Sequence, residues 1–455
     1  MKTLLERVKG SPLHIRACHR DPTGVIALLT PHTKQIRYLN LMYNHWANIQ
    51  RFSEVNPGPF PLLRILVINA VGGIGLDGPD MMIPPSLPLF SNAVDLKEFR
   101  LHSETSSFLS HFVFPNLTVF KLSAAPVEGF HTSELLNFLE ASPMLRTVHM
   151  RITADISFEG VPREKLVVLP NVKTLSLVMS DGGPGYKIAA HIACPSAKLT
   201  SLMHEKHADD MIPDEIFPAP VSWNAIVGQC TTSPVEGVTL EIKVVPNCVI
   251  ECSLTFQSHD ATILKLGFKV AANGSIGWPG IRVSFSRMYC AVFSQASRTI
   301  RDHPLLANVK RLLIHYHNYL AIGSSKLHRI ANDIGRLFKS MGSLEELYIH
   351  RADLRPYLYP FLDLPGLHSG VEQLVVFPPI KELIISDPWC KPLDECVAGL
   401  VGLAKSQHAL GVPFKNVTVH MEDLPAAMAE ELSPWVGTAH FYNEGYAGDG
   451  GWGLI

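Results

Sequence analysis

One pattern constrains this chain more than any other: a six-residue window with apolar residues at positions one, four and six. It appears as IRYLNL from Ile36, LRILVI from Leu63, LKEFRL from Leu96, LTVFKL from Leu117, LRTVHM from Leu145, VKTLSL from Val172 and LTSLMH from Leu199. After a gap it returns as VKRLLI from Val309, LEELYI from Leu344, IKELII from Ile380 and FKNVTV from Phe414, with VEQLVV from Val371 as a competing register. The steps from Leu117 through Leu145 and Val172 to Leu199 are 28, 27 and 27 residues, and Ile36 to Leu63 is again 27. That period falls within the range of leucine-rich repeats, in which each unit supplies a strand and a helical or irregular return. The steps after Val309 are 35, 36 and 34 residues, which calls for longer returns.

The stretches between windows fit this arrangement. In His131–Pro143, Thr132 or Ser133 is the expected N-cap and Leu135, Leu136 and Leu139 share one face before Pro143 ends the helix. Leu327, Ile330, Ile334, Leu337 and Met341 form a second apolar stripe, with Gly342 as the expected stop. A third helix is expected from about 394 to 410. One such unit cannot bury its own apolar face, so neighbours must cover it. The predicted fold class is therefore α/β: a leucine-rich-repeat solenoid with a curved parallel sheet on the concave side, helices on the convex side and an inserted β-meander. Residues 1–35 read as an N-terminal helical cap, 36–206 and 305–435 as repeats, 207–304 as an irregular β-rich insertion within the array, and 436–455 as a Gly-rich tail.

Composition narrows the function. At 455 residues with 47% hydrophobic and 18% charged residues, the chain has ample core and a net charge of −2. Without a basic excess, nucleic acid is not an expected partner. No uncharged apolar window is long enough for a membrane span. The start, MKTLLERVKGSP, carries charges where a secretory signal needs an apolar run, which predicts a cytoplasmic or nuclear protein. The eight cysteines are scattered and suggest neither disulfide framework nor zinc site. Cys248 and Cys252 share an expected strand about 13 Å apart, and Cys390 and Cys396 flank a proline loop.

The familiar catalytic signals fail on inspection. Gly73, Gly75 and Gly78 match a dinucleotide fingerprint, but Pro79, Pro84 and Pro85 prevent the helix that would hold a pyrophosphate. His204 and His207 are three apart, not the four that a zinc-binding helix face needs, and read as loop residues. No G-x-S-x-G elbow occurs. A metal at His315, His317 and His350 would lack a carboxylate. Asn116, Asn273 and Asn416 match glycosylation acceptors without a signal peptide. The expectation is no enzyme, no metal and no cofactor.

What remains is a set of polar residues on alternate strand positions. Positions five and seven of the windows hold Arg100, Lys121 and His149, and His102, Arg151, His315, His350 and His420. On adjacent parallel strands such positions lie about 4.8 Å apart. Either they are merely solvated, as some of 21 histidines must be, or they form a mildly basic, His-lined concave face for an acidic protein partner, gripping more strongly below pH ~6.5.

The segments ERVKGSPLHIRA and GVIALLTPHTKQIRYLNL, with the SPMLRTVHM and GSLEELYIH units, resemble the F-box leucine-rich-repeat proteins of basidiomycete fungi, over nearly the whole chain. The resemblance implies that the repeats select a protein target. It also implies an F-box that docks on a cullin-type ubiquitin ligase through a small adaptor. That F-box would precede the ERVKGSPLHIRA region; the repeat region is present and the F-box is expected to be missing from this chain.

Overall fold

The computed structural model describes residues 11–18, 28–43, 60–70, 90, 92–103, 109–125, 130–153, 156–180, 185–207, 237–245, 249–258, 261–271, 309–316, 324–350, 354–358, 378–386, 393–421 and 426–442. The chain divides into two units, Met1–Glu205 with Ala225–Thr231, and Lys206–Asn224 with Thr232–Ile455.

In the first unit the strands are β1 (Leu13–Cys18), β2 (Ile36–Tyr43), β3 (Ile65–Ala70), β4 (Glu98–Ser103), β5 (Val119–Ala124), β6 (Phe130–His131), β7 (Thr147–Thr153), β8 (Ile156–Ser157), β9 (Val167–Val168), β10 (Thr174–Ser180), β11 (Ile192–Ala193) and β12 (Leu199–His207). Eight of them form one sheet in the order β1-β2-β3-β4-β5-β7-β10-β12. Every pairing in it is parallel. The windows beginning at Leu117, Leu145 and Val172 are therefore adjacent rungs. The two-residue strands pair among themselves, β6 with β8 and β9 with β11.

Four of these rungs, β3, β5, β7 and β10, begin in the same way. A tight turn closes with an N–H to C=O bond across three residues: Leu63 to Phe60, Leu117 to Phe114, Leu145 to Ser142 and Val172 to Leu169. Pro61, Pro115, Pro143 and Pro170 stand second in these turns, where a fixed φ is already correct. Asn116 and Asn171 stand third, and their side-chain amides donate to Val94 O at 2.9 Å and Pro143 O at 3.2 Å in the preceding turn. Stacked turns thus lock each strand start to its neighbour.

The core follows from the period-two alternation of the strands. Leu39, Leu66, Phe99, Phe120, Val148 and Leu175 lie in register and are all buried. Phe99 sits among Phe112, Phe114, Phe120 and Phe138 at ring-centroid distances of 4.8, 5.2, 5.9 and 6.0 Å. Burying each such side chain contributes roughly 1.5–3 kcal/mol.

Three local expectations need correction. The helix Thr132–Glu140 is capped by His131 without a side-chain bond, and Thr132 is buried in its first turn. The reason is that β6 runs directly into the helix and leaves no solvated cap. Within the expected helical cap, Leu13–Cys18 is β1, because Leu13, Ile15 and Ala17 alternate inward; Thr30–Gln35 is a 3₁₀ turn, and LLERV lies outside the described residues. His204–His207 belongs to β12, not to a loop.

The second unit contains β13 (Gly237–Val245), β14 (Val249–Ser258), β15 (Ala261–Ala271), β16 (Arg311–Tyr316), β17 (Glu346–His350), β18 (Glu382–Ser386), β19 (Asn416–His420) and β20 (Thr438–Tyr442). β13, β14 and β15 form an antiparallel meander, as the alternation of the 207–304 segment suggests; the IRVSFSRMYC run lies outside the described residues. β13 also pairs in parallel with β16, so the meander is continuous with the rungs β16 to β20. β20 lies in the segment expected to be a loose tail. It forms a rung because Gly437 lets the chain approach the Lys415 carbonyl, which a Cβ there would meet at 2.7 Å.

Two 17-residue helices, Ser324–Ser340 and Leu393–Ala409, account for the 35- and 34-residue steps, while the described part of the 36-residue step holds the short helix Arg355–Leu358. The first buries Ile330, Ile334 and Leu337, as the stripe predicts. It stops at Ser340, and Gly342 does not adopt the left-handed conformation; Leu344 N–H instead bonds Met341 O in the turn that starts β17. The second ends in a Schellman arrangement: Gly411 has φ 76°, its N–H bonds His408 O, and Val412 N–H bonds Gln407 O. Cys396 is disulfide-bonded, against the expectation of no disulfide framework, while Cys194 is buried and outside any disulfide. The register at Val371 and the glycines of the 73–78 loop lie outside the described residues.

Candidate interaction surface

Side chains at alternate positions of the first unit's rungs point away from the core and form rows across the sheet. One row runs Arg100, Lys121, His149 on β4, β5 and β7, and the next runs His102, Ser123, Arg151 on the same strands. All five predicted residues of this unit are thus gathered on three consecutive rungs. Glu98 lies between them. Its Oε1 accepts from Arg100 Nε at 2.7 Å and meets Lys121 Nζ at 3.2 Å. Burial pushes the Glu98 carboxyl up, but the bonds and charges of Arg100 and Lys121 outweigh it, leaving it below its ordinary value.

The histidines respond to the same surroundings. Burial, followed by the Arg100 charge, lowers His102; burial, followed by the Lys121 charge, lowers His149. Both imidazoles are therefore neutral at pH 7, and Arg100, Lys121 and Arg151 carry the positive charge. Acid strengthening of a grip through these rings sets in below the ordinary histidine range, more acidic than pH ~6.5.

In the second unit, His315 and His350 are register neighbours on β16 and β17, with rings edge-on at 4.5 Å. His350 is only 7% exposed, which corrects its placement on a solvated face. The cause is a break in alternation at the end of the rung: Ile349 and His350 are both buried, as are Ile385 and Ser386 on β18. His420 is half-buried on β19, stacks on Tyr442 at 4.4 Å and 9°, and is lowered by burial. One rung, β18, separates it from His350. His317 lies outside the described residues. Among the described residues, no group of His, Cys, Asp or Glu could hold a metal ion, and no helix is long and apolar enough to cross a membrane.

Reasoning from positions five and seven overlooked position two. A chain of backbone bonds links these residues from rung to rung: Arg64 N–H to Arg37 O, Lys97 to Arg64, Thr118 to Lys97, Arg146 to Thr118, Lys173 to Arg146 and Lys198 to Lys173, at 2.7–2.9 Å. Arg37, Arg64, Lys97, Arg146, Lys173 and Lys198 therefore stand in one file along the strand starts; Lys198 takes the second position because the window read from Leu199 is two residues out of register, Leu199 pairing with Thr174 and not with Val172. The signal was in plain view as the second letter of IRYLNL, LRILVI, LKEFRL, LRTVHM and VKTLSL.

Comparison with protein-family models and with curated proteins found no match to this chain. Its class is set by its own geometry, an α/β protein built on a large parallel sheet.

Proposed function

We propose that the chain is a leucine-rich-repeat solenoid whose function is non-enzymatic protein–protein interaction, and that it is the target-recognition region of an F-box-type ubiquitin-ligase subunit. The observation that carries the repeat reading is the adjacency of the Leu117, Leu145 and Val172 windows, one return apart in sequence and one rung apart in space. Repeats stacked this way present rows of side chains from successive units to one partner. Arg100, His102, Lys121, His149 and Arg151 form the candidate partner-binding patch, with His420 as a corresponding position in the second unit, where His350 is buried. The charge of the patch suits an acidic protein. The link to a cullin adaptor rests on the resemblance alone and requires an F-box outside this stretch of chain.

Cross-linking mass spectrometry on the chain purified from its own cells tests the reading. Cross-links from Lys121 and its neighbours to a second protein, together with recovery of the cullin adaptor, are the expected result. A partner without the adaptor would leave a binding scaffold unconnected to ubiquitin. Turnover of a small molecule traced to the 207–304 segment would overturn the proposal.

A further inference from the structure

The first unit carries its positive charge in a definite shape. Six cations, Arg37, Arg64, Lys97, Arg146, Lys173 and Lys198, occupy six of seven successive strand starts, with Thr118 at the remaining one. Among the described residues, Arg64 meets Asp95 at 3.9 Å, and no carboxylate pairs with the other five. Beside the file, the outward rows of β2 to β12 add Arg100, Lys121 and Arg151; their Glu98 is already engaged by Arg100 and Lys121, and Glu205 stands near the end of β12 in register with Ser180. In a chain with net charge −2, this is a strongly one-sided distribution.

We infer that the file is a docking rail for an extended acidic segment of a partner protein, lying across the rungs. At about 4.8 Å per rung, the six steps from Arg37 to Lys198 span about 29 Å, the length of roughly nine extended residues. The five file cations without a carboxylate partner among the described residues can meet the carboxylates of such a segment. A single-stranded nucleic acid is the less suitable occupant. It needs aromatic platforms for its bases; among the described residues the outward rows of β2 to β12 hold no phenylalanine or tryptophan, and their Tyr38 is already stacked on His14 at 5.7 Å. This inference rests on the reading of the chain as an interaction protein and adds to it the chemistry of the partner.

The test is fluorescence anisotropy of a labelled oligo-glutamate peptide of about nine residues with the full chain. The peptide is expected to bind at low salt and to be released as ionic strength rises. Replacing Arg146→Gln, Lys173→Gln and Lys198→Gln together is expected to weaken it about tenfold, equivalent to about 1.4 kcal/mol. A control pair in the second unit, Lys381→Gln with Lys415→Gln, is expected to change nothing. If the triple variant melts early, Lys173→Gln alone decides, and a loss of twofold or more is expected. Absence of binding, equal binding by the variants, or tighter binding of an oligonucleotide or an anionic vesicle would each overturn the inference. A cross-linked partner seated on this sheet through a neutral segment would sink it while leaving the proposed function intact.

Discussion

The two units use the same rung with different returns and different charges. In the first, rungs begin at proline turns and the interior is aromatic, centred on Phe99. In the second, 17-residue helices supply much of the return, the interior is chiefly aliphatic, and it admits His350, Ser386, Asp333 and Gln407. The outward rows differ as sharply. Glu98 of the first unit is held by two cations, whereas Glu346 and Glu382 of the second are register neighbours of like charge. Burial raises the Glu346 carboxyl first, Arg311 partly opposes this, and the neighbouring Glu382 adds to the rise. A shared strand pattern therefore fixes the rung and leaves both its return and its surface free to diverge.

The sharpest way to break this comparison is at the aromatic centre. Phe99→Ala should cost about 3–5 kcal/mol by denaturant unfolding, because four other rings surround the space it vacates. A loss below about 1 kcal/mol would mean that the first unit does not depend on that cluster.

The returns can be separated by one change each. Gly411→Ala places a side chain in a left-handed conformation and should cost about 1–2 kcal/mol. Pro115→Ala gives the unfolded chain more freedom and should cost only about 0.4–1 kcal/mol. The reverse order would contradict the assignment of stiff turns to one unit and a glycine-capped helix to the other.

Charge distinguishes the units with smaller effects and opposite signs. The lowered Glu98 contributes stability that is complete above its unfolded value, near 4.5, and is lost as pH falls through its folded value. The raised Glu346 behaves inversely: its relative stability is present below 4.5 and is lost as pH rises through its folded value. At pH 7, Glu98→Gln should therefore cost up to about 1 kcal/mol, and Glu346→Gln should be neutral or stabilising by a few tenths. Thermal melts of both variants at pH 7 and pH 4 would show the difference shrinking in acid.

The smallest effect is that of the histidines. His102 and His149 should titrate by NMR below the ordinary value of 6.5. Stability held above pH 6.5 is lost as the unfolded chain takes up protons first. Midpoints at or above 6.5 would restore these rings as neutral-pH sensors. For the second unit, a His315→Ala, His350→Ala variant should retain its partners at pH 7.5, since His350 is buried.

Much of this protein was legible as text. The spacing of the Leu117, Leu145 and Val172 windows predicted neighbouring strands, the Ile330–Ile334–Leu337 stripe predicted a helix face, and Arg100, Lys121 and His149 were expected in one row. Periodicity suffices for these because alternation and helical pitch are local geometry. His131 as a cap, β1 and β20 as added rungs and the burial of His350 were not legible. Each depends on what a distant segment does beside it.

The division has a physical basis. The sequence by itself determined which residues turn inward and how often the chain returns, since both follow from apolar period and turn chemistry within a few dozen residues. Only the tertiary structure decided which charges meet. Glu98 adds Lys121 to the Arg100 of its own strand, and Glu346 faces another carboxylate, because hydrogen-bonded register brings together residues 20 to 40 apart in the chain. That same register aligned the cations of successive strand starts into one file.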